Sequence, residues 1–213
     1  MAAPLWSLVK QEREALLTDL RTLTPTQWGT QSLCSGWSVR DVALHLLDSA
    51  NTTPWSFLWG MARAGFDFDK QNQHGIDRYR DNDITALLTQ LSQAVHRTTA
   101  PPRFMVALES RLVEEIAHGE DIRRPLGITR RYTPEALQAA IKYQVATSKN
   151  FGGAKEYLHG VRLIATDLGW EHGSGAEIAG PALEILMAIT GRNPRPGALT
   201  GSGLSNLPMP SKH

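Results

Sequence analysis

Ser38-Val39-Arg40-Asp41-Val42-Ala43-Leu44-His45-Leu46-Leu47-Asp48-Ser49-Ala50 carries the architecture of this chain. Val39, Val42, Ala43, Leu46, Leu47 and Ala50 stand at offsets 0, 3, 4, 7, 8 and 11, one unbroken apolar face at helical period. Ser38 offers the hydroxyl of an N-cap, and Pro54 stops the run. An amphipathic helix must bury its stripe against partners, and the neighbouring sequence supplies them. Leu5 to Leu23 repeats the spacing with Leu5, Leu8, Val9, Leu16, Leu17 and Leu20 before Pro25. Trp55 to Ala64 reads as a short aromatic helix. Asp83 caps a run holding Ile84, Leu87, Leu88, Leu91 and Val95, closed by Pro101 and Pro102. Another helix is expected from Phe104 to Ile122, and Thr133 with Pro134 opens the next, proline suiting the first helical position. The polar segment from Gly65 to Asn82 reads as a surface loop.

Past Gly152-Gly153 the pattern changes. Val161 to Trp170 is β-branched and apolar, Gly173-Ser174-Gly175 signals a turn, and Ala176 to Ala179 is expected to return as the partner strand of a small hairpin. Gly180-Pro181 then opens a last helix, Ala182 to Thr190, closed by Gly191, and an irregular Pro- and Gly-rich tail follows from Asn193. The fold class is mainly α: a helical bundle over 1–158, with a small α/β element and tail over 159–213 packed on it.

Composition removes several function classes. Lys plus Arg is 22 and Asp plus Glu is 21, so the net charge of +1 leaves no cationic excess for a polyanion, and no nucleic-acid partner is expected. Cys34 is the single cysteine, which excludes an intrachain disulfide and a Cys-based zinc cluster. No apolar run approaches the ~20 residues of a membrane helix, and the N-terminus lacks a signal-peptide core, so the expected address is the cytoplasm.

The seven histidines remain as carriers of chemistry. Glu114 and His118 are four residues apart and project to one helix face, where both can reach one metal ion; Glu115, three residues from His118, is nearly as well placed, and spacing does not separate the two. Such pairs also occur on solvated faces. His45 flanks the apolar stripe of its own helix, where a histidine is commonly just hydrogen-bonded. Together the two features have more force, because bundle metal sites are built from inward side chains on facing helices, and three protein ligands leave a position open. His74, His96 and His213 read as solvated, as does His172 at its turn, while His159 precedes the expected hairpin. Cys34 has no base at a recognisable spacing and reads as packing.

Three segments carry a resemblance. Ser32-Leu33-Cys34-Ser35-Gly36-Trp37-Ser38-Val39-Arg40-Asp41-Val42-Ala43-Leu44-His45, preceded by Trp28, is similar to the first metal-ligand motif of the mycothiol-dependent maleylpyruvate isomerase family. Glu114-Glu115-Ile116-Ala117-His118-Gly119-Glu120-Asp121-Ile122-Arg123-Arg124-Pro125-Leu126-Gly127 resembles its second. The stretch from Ala165 to Gly175, with Gly180-Pro181-Ala182-Leu183 and Thr190-Gly191-Arg192, is similar to the C-terminal segment of many actinobacterial members.

The resemblance implies a DinB-like up-and-down four-helix bundle with a divalent metal at one end, held by His45, Glu114 and His118, with Glu115 a neighbour. It implies Zn2+ first, with Fe2+ or Ni2+ as alternatives. It also implies mycothiol as thiol cofactor or co-substrate and a small electrophile, in isomerisation or S-transfer. Arg192 is the candidate for the arginine with which the family's C-terminal domain assists catalysis. That domain is larger in the characterised isomerases, so a shortened C-terminal part is expected here. A zinc-dependent hydrolase using Glu115 or Asp121 as base, and a non-catalytic metal-binding or sensor module, are the alternatives. The protein is expected to be a monomer or homodimer without a membrane partner.

Overall fold

The structure, a computed structural model, describes residues 5–102 and 106–207. They divide into two compact units, 5–130 and 131–207. The first contains α1 (Leu5–Leu20), the short α2 (Pro25–Trp28), α3 (Val39–Asn51), α4 (Pro54–Arg63), α5 (Phe68–Arg78), α6 (Ile84–Ala94) and α7 (Ser110–Arg123). α1 packs on α6 and α7, and α3 packs on the same two, which makes a four-helix bundle of α1, α3, α6 and α7. Its core is the stripe read from sequence: Val39, Val42, Ala43, Leu46, Leu47 and Ala50 are buried together with Leu16, Leu20, Ile76, Leu87 and Ile122.

Local signals set the helix starts. Ser38 accepts from the Asp41 amide while Asp41 accepts in return from the Ser38 amide, a capping box that begins α3 as expected. Asp83 caps α6 through the Ala86 amide at 2.7 Å. The expected helix start at Phe104 lies outside the described residues, as does His213; α7 as observed begins at Ser110.

The polar segment read as a loop is instead largely α5. Asp67 accepts from the Asp69 and Lys70 amides at 3.0 and 3.1 Å, and the helix needs only a narrow buried seam, Gly75 and Ile76, against α3. A Cβ at Gly75 would collide with the Asp48 carboxylate, so the glycine lets the two helices approach. One buried apolar residue in eleven leaves no amphipathic signal to read.

The second unit holds α8 (Pro134–Ala146), β1 (Val161–Ala165), β2 (Trp170–Gly173), β3 (Ala176–Gly180) and α9 (Ala182–Ile189). α8 packs on α9 with Leu137, Ala140, Ile141 and Val145 buried, so it groups with the C-terminal element, whereas the sequence reading extends the bundle to residue 158. The strand order is β2-β1-β3. The hairpin is β1 with β2, antiparallel, and β3 lies parallel on the other edge of β1; the expected pairing of 161–170 with 176–179 as a hairpin is corrected accordingly. Gly173-Ser174-Gly175 is the crossing between the two edges. Gly175 has φ +119°, and a Cβ there would enter the Gly160 carbonyl, which is why this turn is glycine-rich. The tail is tied down where described: Thr200 bridges to Ala179, and 202–206 forms a 3₁₀ turn. No helix among the described residues is long and apolar enough to cross a membrane.

Candidate metal centre

The mid-section of α3 and the second turn of α7 face each other in the bundle. His45 projects from α3, and Glu114 and His118 project from α7, so the three residues selected from sequence meet. His45 Nε2 lies 3.1 Å from Glu114 Oε2, and His118 Nε2 lies 3.7 Å from the same oxygen. The two imidazoles stand edge-on, with centroids 4.7 Å apart. A tetrahedral ion at ~2.05 Å from each donor would hold those donors about 3.3 Å apart, close to the two distances from Glu114, and two imidazoles with a carboxylate are donors that suit a divalent ion. Glu114 is 29% exposed and His118 14%, which leaves the cluster open to solvent on one side.

A second set of contacts orients the first. His118 Nδ1 donates to Asp121 Oδ2 at 2.9 Å, leaving Nε2 as the acceptor nitrogen directed to Glu114 and His45. Asp121 is fully buried and also accepts from Cys34 Sγ at 3.0 Å. The Leu33 amide donates to the Asp121 carbonyl at 3.1 Å, fixing the Ser32–Gly36 loop against α7. Trp37 covers the rings, its centroid 5.3 Å from His45 and 6.5 Å from His118. Cys34, His118 and Asp121 form a second cluster of metal-ligand type, but Cys34 and Asp121 are buried and their polar atoms already serve one another.

The two adjacent glutamates have different surroundings. Burial acts to raise the Glu114 carboxyl, yet the hydrogen bond with His45 and the electrostatic attraction of His118, His45 and Arg111 outweigh it and hold the group well below the usual carboxylate range. Glu115 turns the other way: its Oε1 meets Arg13 Nε at 2.6 Å, and both side chains are buried. Burial pushes its carboxyl up even against the Arg13 charge. Arg13 also donates to the Ala94 and Arg97 carbonyls at 3.2 and 2.9 Å, which joins α1, α6 and α7. Arg111, one turn before Glu114, donates to the Ser49 carbonyl at 3.1 Å and to its hydroxyl.

The sequence reading did not identify the roles of Cys34, Trp37, Arg111 and Arg13. It takes Asp121 only within the second motif and as a base of the hydrolase alternative; the place of Asp121 three residues past His118 on the same helix face is the signal that could have shown it as a partner. Cys34 and Asp121 are 87 residues apart, and no local spacing signals their contact. Arg192 belongs to the C-terminal unit, where its Nη1 donates to the Thr190 carbonyl at 2.9 Å; it is not among the trio. His74, His96 and His172 are exposed, as expected; His159 is exposed too, and His172 stacks on Trp170.

Residues 9–123 match the family described as mycothiol maleylpyruvate isomerase N-terminal domain. Among solved structures, the chain is similar to a crystal structure of the mycothiol-dependent maleylpyruvate isomerase, with a TM-score of 0.61 and 16% identity over 94% of this chain and 93% of that one. A histidine-to-alanine mutant of that isomerase gives a TM-score of 0.53 at 15% identity over the same shares. Both alignments span the two chains nearly in full, so the shortened C-terminal part expected from sequence is not found against these structures. No curated protein matches the sequence. At such identity the structural likeness concerns the fold, while the match over 9–123 covers more than half of the chain and both segments that carry the candidate trio. The chain belongs to the mycothiol maleylpyruvate isomerase N-terminal domain family.

Proposed function

We propose that the protein is a divalent-metal-dependent enzyme that uses mycothiol as thiol cofactor or co-substrate and acts on a small electrophile, as an isomerase or an S-transferase. The observation that carries this reading is the convergence of His45, Glu114 and His118, with donor atoms within 4.8 Å of one another and one side open. Zn2+ suits two imidazoles and a carboxylate best, with Fe2+ or Ni2+ as alternatives. A divalent ion held there supplies the positive charge that lets a thiol lose its proton at neutral pH.

The chain's own residues do the remaining work. Asp121 keeps the His118 proton on Nδ1, so that Nε2 presents a lone pair. Glu114 stays anionic through its two histidine neighbours, and Trp37 shields the imidazoles on one flank. The sole cysteine donates to Asp121, consistent with a thiol that arrives from outside. The hydrolase alternative asks for an available carboxylate base, and both candidates are engaged: Glu115 by Arg13, Asp121 by His118 and Cys34. Arg192 is proposed to assist the electrophile in the isomerase or transferase reaction, and the cytoplasm is the proposed location.

The test is to incubate the metal-loaded protein with a bimane electrophile and with maleylpyruvate, each with and without mycothiol. Thiol-dependent turnover that disappears in His45→Ala, Glu114→Ala and His118→Ala supports the reading. Equal turnover without thiol favours the hydrolase, and no turnover despite tight metal binding favours the sensor.

A further inference from the structure

One cavity in the N-terminal unit is not used by the metal centre. It has a volume of ≈ 430 Å³ and lies between α3, α4 and α5, with Asp48, Ser56, Trp59, Arg63, Gln71 and Arg78 among its walls. That size is within the roughly 300–1,000 Å³ of small-molecule pockets. Asp48 stands one turn beyond His45 on α3, so the cavity begins beside the metal centre.

Its chemistry is specific. Trp59 is 70% exposed, an unusual state for an indole on a helix, and offers an apolar face to a ligand. Gln71 Oε1 is buried without a hydrogen-bond partner, a state that a donor from a ligand would relieve. Arg63 has no carboxylate partner among the described residues. The Arg78 charge, by contrast, is taken up by Asp48 at 2.6 Å. With Asp48 and Arg78 paired, the wall beside the indole keeps the Arg63 guanidinium as a donor and Gln71 Oε1 as an acceptor, and His74 also lines it. An anion could accept from Arg63 but has no proton for Gln71 Oε1, whereas a hydroxyl both donates and accepts and so serves both groups.

Mycothiol is an acylated cysteine carried on a glucosaminyl-inositol, a polyol with a small thiol arm. Resting on the mycothiol reading above, we propose that this cavity seats the sugar–cyclitol end of the thiol, with the face of one ring against Trp59 and its hydroxyls on Gln71, Arg63 and Asp48. The metal centre then receives the thiol arm, and the electrophile is bound elsewhere.

The probe is thiol-free N-acetylglucosaminyl-inositol, which keeps the neutral amide, titrated into the intact protein and followed by tryptophan fluorescence and calorimetry, which requires neither metal nor turnover. We expect saturable binding that Trp59→Ala and Arg63→Ala each weaken by about tenfold, while Lys10→Ala on α1 binds as the wild type does. Melting temperature and metal content check that each variant is folded. Absence of binding, or binding unaffected by both variants, overturns the proposal. So does a result in which the variants raise the KM of the electrophile and leave polyol binding intact. Polyol binding at Trp59 in a protein that shows no thiol-dependent turnover would instead refute the proposed reaction and leave this site standing.

Discussion

Glu114 and Glu115 are adjacent in sequence but have different surroundings, and the roles proposed for them are separated by paired substitutions. Glu115→Ala removes the partner of Arg13, whose guanidinium is 7% exposed and held at 2.6 Å. Leaving one charge of a buried pair uncompensated costs about 3–5 kcal/mol. Arg13 keeps its bonds to the Ala94 and Arg97 carbonyls, which points to the lower end, about 3 kcal/mol, or a fall in Tm of about 10 °C. The metal ligands are untouched, so the variant should retain its metal when assayed well below its midpoint. Glu114→Ala should behave in the reverse way. Its side chain is 29% exposed, so the metal-free variant should lose no more than about 1 kcal/mol, yet it should lose most of its bound metal. The assay is thermal unfolding of metal-free protein together with metal analysis of loaded protein. Metal loss in Glu115→Ala with unchanged stability, or full metal retention in Glu114→Ala, would refute the assignment.

Three other outcomes are expected. Asp121→Asn should lower metal affinity by about 10–100-fold in chelator competition, because the amide no longer fixes the Nδ1 proton of His118; unchanged affinity would remove Asp121 from the site. Gly175→Ala should destabilise the C-terminal unit by about 2 kcal/mol or more, since φ +119° and the Gly160 carbonyl both oppose a side chain; denaturant unfolding checks this. Asp67 caps α5, and its carboxyl is held below its ordinary value chiefly by the Lys70 amide. A depressed folded-state pKa gives stability that is present above the unfolded value and lost as pH falls through the folded one. Asp67→Asn should therefore flatten the acid limb of the stability profile, and an unaltered limb would show that the cap does not titrate.

The bundle was readable because apolar positions follow helical period in three of its four segments, and the caps at Ser38 and Asp83 are strong local signals. The trio was readable for the same reason: Glu114 and His118 share a helix face, and the resemblance selected Glu114 where spacing could not. Contacts between distant segments left no local trace. Nothing in the sequence around Glu115 points to Arg13, and nothing near Cys34 points to Asp121. α5 was missed because Gly75 and Ile76 suffice to dock it, and its other residues look like a loop. The parallel pairing of β3 was missed because a glycine-rich link reads equally as a hairpin turn or as a crossing over a neighbouring strand.

The central claim concerns where a divalent ion is held. Two donor clusters share His118: one with His45 and Glu114 through Nε2, the other with Cys34 and Asp121 through Nδ1. Anomalous X-ray diffraction at the zinc edge, from crystals of the metal-loaded protein, separates them in one measurement. The account predicts a single strong peak about 2.0–2.2 Å from His45 Nε2, a Glu114 carboxylate oxygen and His118 Nε2, with the Asp121 hydrogen bond to His118 intact. A peak on Cys34, Asp121 and His118 Nδ1, or no peak at either cluster, would contradict it.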